Sequence, residues 1–352
     1  MHGTVRDREG KPIPVVRVTI LDHPEFGHTL TQADGDFDMV VNGGGVLTVV
    51  YEKAGFLPVQ RTLQTGWNDW YIADDVVMIP LDEKVTIIDL SDNTQSFQVA
   101  QGSVVEDSDG KRQATLLFPA GTTAEITLPD GSKQQLSQIS VRATEYTVGE
   151  SGPDAMPAGL PPTSAYTYAV ELSVDQARQQ GVKVNGKDIE FSQAVPFYLD
   201  NFLEFPTGQA VPIGYYDGDI AAWIPYPNGR IIEILRIEND QAILDVTGDG
   251  DDATSTELEV LGITDDELSQ LAQIYMSGDS LWRAALEHFS TWDCNWPYGP
   301  PEDAQFPDLD LPKETEKTPD NTDEENLCPG CTIHPQSQSL HESIGIAGTP
   351  YS

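Results

Sequence analysis

The residues with the clearest chemical potential lie in an acidic loop between positions 245 and 252. Asp and Thr alternate there with other residues, and Gly250 stands where such loops turn sharply. Ca²⁺ takes about six to eight oxygen ligands, and a short loop of alternating Asp residues can provide several of them. Thr256 occupies the position where a bidentate Glu is usual, so an acidic turn without metal stays open as the alternative. The candidate calcium ligands are Asp245, Thr247, Asp249 and Asp251.

A second candidate metal site lies late in the sequence. Cys328 and Cys331 are separated by two residues and followed by His334, a spacing typical of zinc ligands. This group provides only half of a zinc site. A disulfide to Cys294 in an oxidising compartment and free thiols are therefore alternatives. We expect no obligatory cofactor, and we consider calcium before zinc as a bound ion.

Patterns of catalytic residues are missing from the sequence. None of its six histidines lies in a metalloprotease motif or beside a nucleophile, and no glycine-rich phosphate loop occurs. Pairs of carboxylates are abundant, but they are expected by chance in so acidic a chain and do not indicate a glycosidase. The sequence therefore predicts a protein that is not an enzyme.

The charge of the chain restricts its partners. Asp and Glu total 57 and Lys and Arg total 19, which gives a net charge of −38. Such a surface repels the phosphates of nucleic acids and anionic lipids. The sequence has no apolar run of the about 20 residues that a membrane helix needs, and no signal peptide begins it. We therefore expect neither a nucleic-acid partner nor a membrane span.

Aromatic residues and prolines concentrate between positions 280 and 300. This composition argues against a regular helix or a central strand. Aromatic side chains held by prolines form a rigid amphipathic surface, suited to plugging a hole or lining an interface. A carbohydrate-binding aromatic platform is the alternative. The candidate docking residues are Leu281, Trp282, Phe289, Trp292, Trp296, Pro297 and Tyr298.

The elements that position these residues are mostly β-strands. Residues 1–82 and residues 83–237 contain short apolar runs rich in β-branched residues, separated by turn sequences. This pattern is typical of β-sandwiches. The Asp-Gly pairs at 109–110 and 130–131 are predicted hairpin turns.

The C-terminal third of the sequence changes character. In residues 238–300, Thr264 and Glu267 form a predicted capping box, and apolar residues follow at helical spacing. Residues 280–289 present apolar side chains in a similar way. Residues 301–352 begin as a Pro-rich, acidic linker, which we expect to be solvated or to lie along a partner surface.

The first sandwich resembles a known family. Residues 10–18 read GKPIPVVRV, and residues 31–37 read TQADGDF. These two segments resemble successive strands of the carboxypeptidase-regulatory, transthyretin-like domain. The resemblance implies a transthyretin-like sandwich that carries no catalytic residues of its own.

Later segments resemble the N-terminal region of bacterial RHS/YD-repeat, teneurin-like proteins. Residues 116–122 and 165–172 read LLFPAGT and AYTYAVEL, and they are similar to the fibronectin-plug or ZU5-like domain of that family. Residues 280–301 resemble the segment ahead of the YD repeats, with Thr291 in place of a proline. Residues 338–352 resemble the start of the shell that these repeats form.

The resemblance implies a fold and a role. The fold is mostly β, with tandem sandwiches (transthyretin-like, then plug-like), a small helical segment and an extended acidic tail. The implied role is a non-catalytic plug that seals the YD-repeat shell of the same polypeptide, in a polymorphic toxin or a cell-surface protein. Encapsulated toxin cargo or a cell-surface receptor would be further partners, and the location would be secreted or at the cell surface. The alternative is a calcium-dependent adhesion or glycan-binding module.

Overall fold

The computed structural model describes residues 1–161, 164–182 and 189–296, and strands dominate it. Strands make up 46% of the structure and helices 10%, which confirms the predicted mostly β fold. The described residues belong to one compact unit, Met1–Gly299, and the second unit, Pro300–Ser352, lies outside them. In the described part of the chain, no helix is long and apolar enough to cross a membrane.

A two-sheet sandwich occupies the N-terminal part of the chain. Its strands β1 to β7 are His2–Arg6, Arg17–Ile20, Thr29–Leu30, Asp36–Asp38, Val46–Glu52, Val59–Gln64 and Val76–Val77. The strand order is β4–β1–β7 in one sheet and β3–β2–β5–β6 in the other. Buried apolar side chains of both sheets, such as Val18, Phe37 and Val49, form the core. Their alternation with exposed residues is what a strand with one buried face requires.

The predicted turn at residues 34–36 connects β3 to β4. Gly35 has a φ of +85°, and a Cβ at this position would lie 2.5 Å from the carbonyl oxygen of Val5. Glycine accepts both this backbone conformation and this close approach, whereas any other residue would clash. The TQADGDF segment therefore folds locally as its sequence predicts.

A larger β structure follows between residues 86 and 293. Its strands β8 to β22 are Thr86–Asp89, Phe97–Gln101, Val105–Asp107, Gly110–Arg112, Thr115–Pro119, Ala124–Thr127, Lys133–Leu136, Gln138–Glu145, Ala169–Val174, Ile189–Asp200, Ala210–Asp217, Ala222–Glu238, Gln241–Asp245, Ser280–Phe289 and Thr291–Asp293. The order β8–β15–β16–β22–β18–β19–β21–β17–β12–β9 runs around a nearly closed barrel. The predicted Asp-Gly turns connect β10 to β11 and β13 to β14, which confirms them.

The helices of the described residues are short. The α-helices α1 to α3 are Asp175–Gln179, Ser255–Leu261 and Asp265–Ile274, and the two 3₁₀ segments are Pro24–Phe26 and Gly149–Ala155. The side-chain oxygen of Thr264 accepts a hydrogen bond from the backbone N–H of Glu267, as predicted for the start of α3. Leu268 and Leu271 of α3 pack with Leu244 and Ile234 of the barrel in one buried cluster.

Residues 280–289 differ from their prediction. They form β21, a central strand that pairs with β17 on one side and β19 on the other. A strand is possible because residues 280–293 contain neither proline nor glycine, and the pairing with β17 and β19 favours it over a helix. The predicted separate segment 238–300 is therefore not separate, because β21 and β22 belong to the same sheet as strands from residues 83–237.

Candidate functional site

Four of the predicted docking side chains, Leu281, Trp282, Phe289 and Trp292, lie in the interior of the protein. Trp282 and Trp292 are 1% and 2% exposed, and Leu281 and Phe289 are equally buried. Trp282 points into the barrel core, whereas Leu281 joins the cluster under α3, so β21 is covered on both faces. These side chains stabilise the barrel and are not available for docking, which corrects the sequence-based expectation.

The end of the aromatic segment is only partly described. Trp296 is half-buried, and its ring lies 4.3 Å from the ring of Phe205, centre to centre. Pro297 and Tyr298 lie outside the described residues. Trp282 satisfies its polar atom within the core, because its indole Nε1 donates to Asn201 Oδ1 at 2.7 Å. A buried indole with a satisfied N–H is a packing residue.

The acidic loop is organised by its own backbone. The Asp245 carboxylate accepts hydrogen bonds from the backbone N–H groups of Thr247 at 2.9 Å, Gly248 at 2.7 Å and Gly250 at 2.9 Å. Burial raises the pKa of Asp245, but these hydrogen bonds outweigh it and hold the pKa below its ordinary value.

The four predicted calcium ligands do not form a metal site. Asp249 accepts from the backbone N–H of Asp251 at 3.0 Å, and the neighbouring Asp252 pairs with Arg236 at 2.6 Å. Across residues 1–161, 164–182 and 189–296, no group of three or more His, Cys, Asp or Glu side chains is arranged to hold a metal ion. The carboxylates of Asp245, Asp249 and Asp252 therefore already accept hydrogen bonds from this loop or from Arg236.

Of the three cysteines, the structure describes only Cys294. Cys328 and Cys331, together with His334, lie outside the described residues, so the zinc and disulfide alternatives stay predictions. Cys294 has no disulfide partner among the described residues; it is buried, and burial raises the pKa of its thiol well above the ordinary value. A thiol of this kind is inert as a nucleophile, because the thiolate is the reactive form.

The sandwich and the barrel meet in a buried contact that we call the domain seam. Leu57 and Ile79 of the sandwich pack against Tyr146, Met156 and Ala169 of the barrel part in one apolar cluster. All five side chains are buried. A buried apolar contact of this kind fixes the orientation of two domains more firmly than a polar, hydrated one.

Hydrogen bonds across the domain seam are equally buried. Gln60 Nε2 donates to the carbonyl oxygen of Gly218 at 2.9 Å, and the hydroxyl of Tyr216 donates to Gln60 Oε1 at 2.6 Å. The backbone N–H of Gln60 donates to the carbonyl oxygen of Pro157 at 2.7 Å. Arg61 Nη1 donates to the carbonyl oxygen of Met156 at 3.0 Å. These four hydrogen bonds offset the desolvation of the groups that make them.

Two carboxyl groups lie on the barrel wall beside the domain seam. Glu171 pairs with Thr291 in the ladder between β16 and β22, and Asp293 pairs with Ala169, a residue of the seam cluster. Burial raises the pKa of Glu171 from 4.5 to about 8 and that of Asp293 from 3.8 to about 7. The Thr291 hydroxyl donates to the Glu171 carboxyl. Both groups therefore change charge near neutral pH.

A cleft opens next to the domain seam. Its volume is about 920 Å³, and it lies between the outer face of the β2–β5–β6 sheet and the barrel part. Arg17 and Val50 line it on the sandwich side, and Arg178 and Gly218 line it on the other. Pockets of this size between domains are common ligand sites. No local motif marks this one, because its walls come from distant parts of the sequence.

Two exposed tryptophans are absent from the sequence-based predictions. Trp67 is 76% exposed and Trp70 is 85% exposed, both in the loop before β7. They stand in the sequence GWNDW, where Gly, Asn and Asp favour a turn over a strand. An aromatic residue inside a turn sequence is the signal that identifies them.

Comparisons with known proteins agree with this fold in the N-terminal part. Residues 1–78 match the family model of the teneurin TTR-like domain. The N-terminal region is teneurin-like. This match confirms the transthyretin-like assignment, whereas the fibronectin-plug assignment of residues 83–237 stays a prediction.

The individual relatives that match the chain are teneurins. Mouse teneurin-3 is 32% identical over 154 residues, which is 42% of this chain and 6% of that protein. Teneurin-m of Drosophila melanogaster is 48% identical over 84 residues, which is 24% of this chain and 3% of that protein. Teneurin-4 of mouse is 26% identical over 148 residues, or 42% of this chain and 5% of that protein. The chain thus spans only a small part of these relatives.

Proposed function

We propose that this chain is a non-catalytic structural module that seals a YD-repeat shell, as in teneurin-like proteins. The observation that carries the proposal is the domain seam, which joins the TTR-like sandwich to the barrel through buried apolar and hydrogen-bonded contacts. A plug must keep its shape while it blocks an opening, and two domains fixed to each other provide such a body. The sandwich is then a fixed part of the plug body.

Buried charges in the barrel have structural roles that fit a non-catalytic module. Arg283 Nε donates to Glu267 Oε1 at 2.8 Å and to the hydroxyl of Tyr198 at 3.1 Å, which ties α3 to the barrel wall. Arg112 Nη1 pairs with Asp107 at 2.8 Å, and Arg112 Nε pairs with Glu145 at 2.7 Å. Groups held in such pairs are poor proton donors and acceptors for a substrate, because each would leave its partner charged and buried.

Docking to the shell would use exposed apolar side chains in place of the buried aromatic residues. Val260 in α2 and Met276 after α3 are 79% and 71% exposed. Their burial against the shell would stabilise closure at about 25 cal/mol per Å² of apolar area. The shell belongs to the same polypeptide in this proposal, and the module works outside the cytoplasm, at the cell surface or after secretion.

Co-expression with the YD-repeat shell tests the proposal. The variant Val260→Asp/Met276→Asp places two charges on the helical side of the barrel, and we expect it to weaken co-elution with the shell at least tenfold. Trp70→Asp is the matched control, since it charges an exposed apolar site on the sandwich and should leave co-elution unchanged. Unaltered co-elution of the double variant would argue against plugging by this face.

A further inference from the structure

The cleft beside the domain seam has a charge balance unlike that of the whole chain. Its cationic side chains are more numerous than its acidic ones, although the chain carries −38 overall. The cations are Arg17, Lys53 and Arg178, and the acids are Asp22 and Glu52. Cations gathered within one concave surface concentrate anionic ligands, because the low-dielectric walls focus their field.

Arg178 is the most constrained of these cations. Its Nη2 donates to the carbonyl oxygen of Phe56 at 3.4 Å across the cleft wall. Its Nη1 is buried and has no hydrogen-bond acceptor among the described residues. The Arg178 guanidinium is therefore held in the cleft wall, where it adds positive charge beside Arg17 and Lys53.

The floor of the cleft is a sheet face. Arg17, Thr19 and Val50 present their side chains from β2 and β5 toward the cleft. The neighbouring edge strand β6 already gives the backbone N–H of Gln60 to Pro157 at 2.7 Å. A peptide that adds a strand needs free backbone groups, so this floor suits a ligand recognised through side chains.

We propose that this cleft binds an acidic oligosaccharide, a class of ligand that combines carboxylates, hydroxyls and flat apolar ring faces. The carboxylates would pair with Arg17 and Lys53, and the charge of Arg178 in the cleft wall would attract them. Thr19 offers a hydroxyl partner, and Val50 offers an apolar surface for a sugar ring. The cleft of about 920 Å³ is large enough for a short oligosaccharide.

Calorimetric titration of the 352-residue chain tests this proposal independently of any shell. Trigalacturonic acid is the probe and maltotriose is its neutral counterpart. We expect the acidic trisaccharide to bind at least tenfold more tightly than maltotriose, with an affinity that falls as NaCl concentration rises. The absence of binding at millimolar trigalacturonic acid, or equal binding of both sugars, would overturn the proposal.

Two variants locate the binding within the cleft. Arg17→Gln/Lys53→Gln should weaken trigalacturonic acid binding at least tenfold, and the surface variant Arg17→Glu alone should weaken it similarly. Lys133→Gln is the matched control, since Lys133 pairs with Glu125 on a distant exposed hairpin. Equal losses in all three variants would place the binding elsewhere. Binding of hexaglutamate as tight as that of the sugar would overturn the saccharide assignment.

Discussion

The side-chain amide of Gln98 makes both backbone hydrogen bonds of Asp89. Gln98 Oε1 accepts from the Asp89 N–H at 2.9 Å, and Gln98 Nε2 donates to the Asp89 carbonyl oxygen at 2.6 Å. These residues belong to β9 and β8, which are neighbours in the barrel but are not paired as strands in the described residues. The Gln98 side chain thus bonds to the Asp89 backbone as a neighbouring strand would. It links β9 to β8 at the open side of the barrel.

Replacement of Gln98 should open this side of the barrel. Gln98→Leu keeps the size of the side chain but leaves both backbone groups of Asp89 without their partner. We expect a loss of about 1–3 kcal/mol in the free energy of unfolding, measured by urea denaturation. Gln98→Glu keeps an acceptor for the Asp89 N–H but sets a carboxylate oxygen against the Asp89 carbonyl oxygen, so it should also lose stability. Equal stability of the Leu variant and the parent would contradict this account of closure.

Removing one partner of the buried Arg283–Glu267 ion pair should destabilise the fold strongly. Replacing both residues with apolar ones should destabilise it much less. Glu267→Ala leaves the Arg283 guanidinium buried without its carboxylate, so we expect a loss of about 3–5 kcal/mol in urea denaturation. The double variant Arg283→Met/Glu267→Leu removes both charges and should recover most of that loss. A double variant as unstable as the single one would show that the pair does more than satisfy its own charges.

Stability should fall as pH rises through neutrality. Glu171 and Asp293 have pKa values of about 8 and about 7 when folded, above their ordinary 4.5 and 3.8. Between the ordinary and the folded pKa values, the folded state therefore binds more protons than the unfolded state. The stability that this provides at acidic pH is lost as pH rises toward 8. Unfolding of Glu171→Gln at pH 5.5 and pH 8.5 should show a smaller difference than the parent. An unchanged difference would mean that Glu171 is ionised in the fold.

The domain seam should make the sandwich and the barrel unfold together. Scanning calorimetry of the chain should give one cooperative transition, since Leu57 and Ile79 are buried only when both domains are folded and in contact. Gln60→Ala removes the side-chain hydrogen bonds to Gly218 and Tyr216 and should lower the transition temperature. Thr62→Ala on the same strand is the control, as its exposed hydroxyl forms a hydrogen bond with Thr48 of the same sheet. Two separate transitions in the parent chain would contradict a rigid seam.

Local features of the fold follow from the sequence, and features that depend on packing do not. The turn at Gly35 and the capping of α3 by Thr264 depend on a few adjacent residues, so their patterns predict them. The apolar spacing of residues 280–289 fits a helix face and also a strand covered on both faces. Only the positions of β17, β19 and α3 decide between them, and these are set by the rest of the barrel.

The candidate sites depend even more on packing. Asp245 has the spacing of a calcium ligand, but its carboxylate is used by the backbone of its own loop. The cleft brings Arg17 and Arg178 together although they are far apart in the sequence, so no local motif predicts it. The exposed Trp70 has a partial local signal, since Asp69 before it caps its backbone N–H in a turn.

Electron cryo-microscopy of the chain co-expressed with the YD-repeat shell tests the central claim most directly. We predict the barrel inside the shell opening, with Val260 and Met276 against the shell wall and the sandwich held at the fixed angle set by the domain seam. An open shell with the barrel outside it, or a sandwich at variable angles to a seated barrel, would contradict the account.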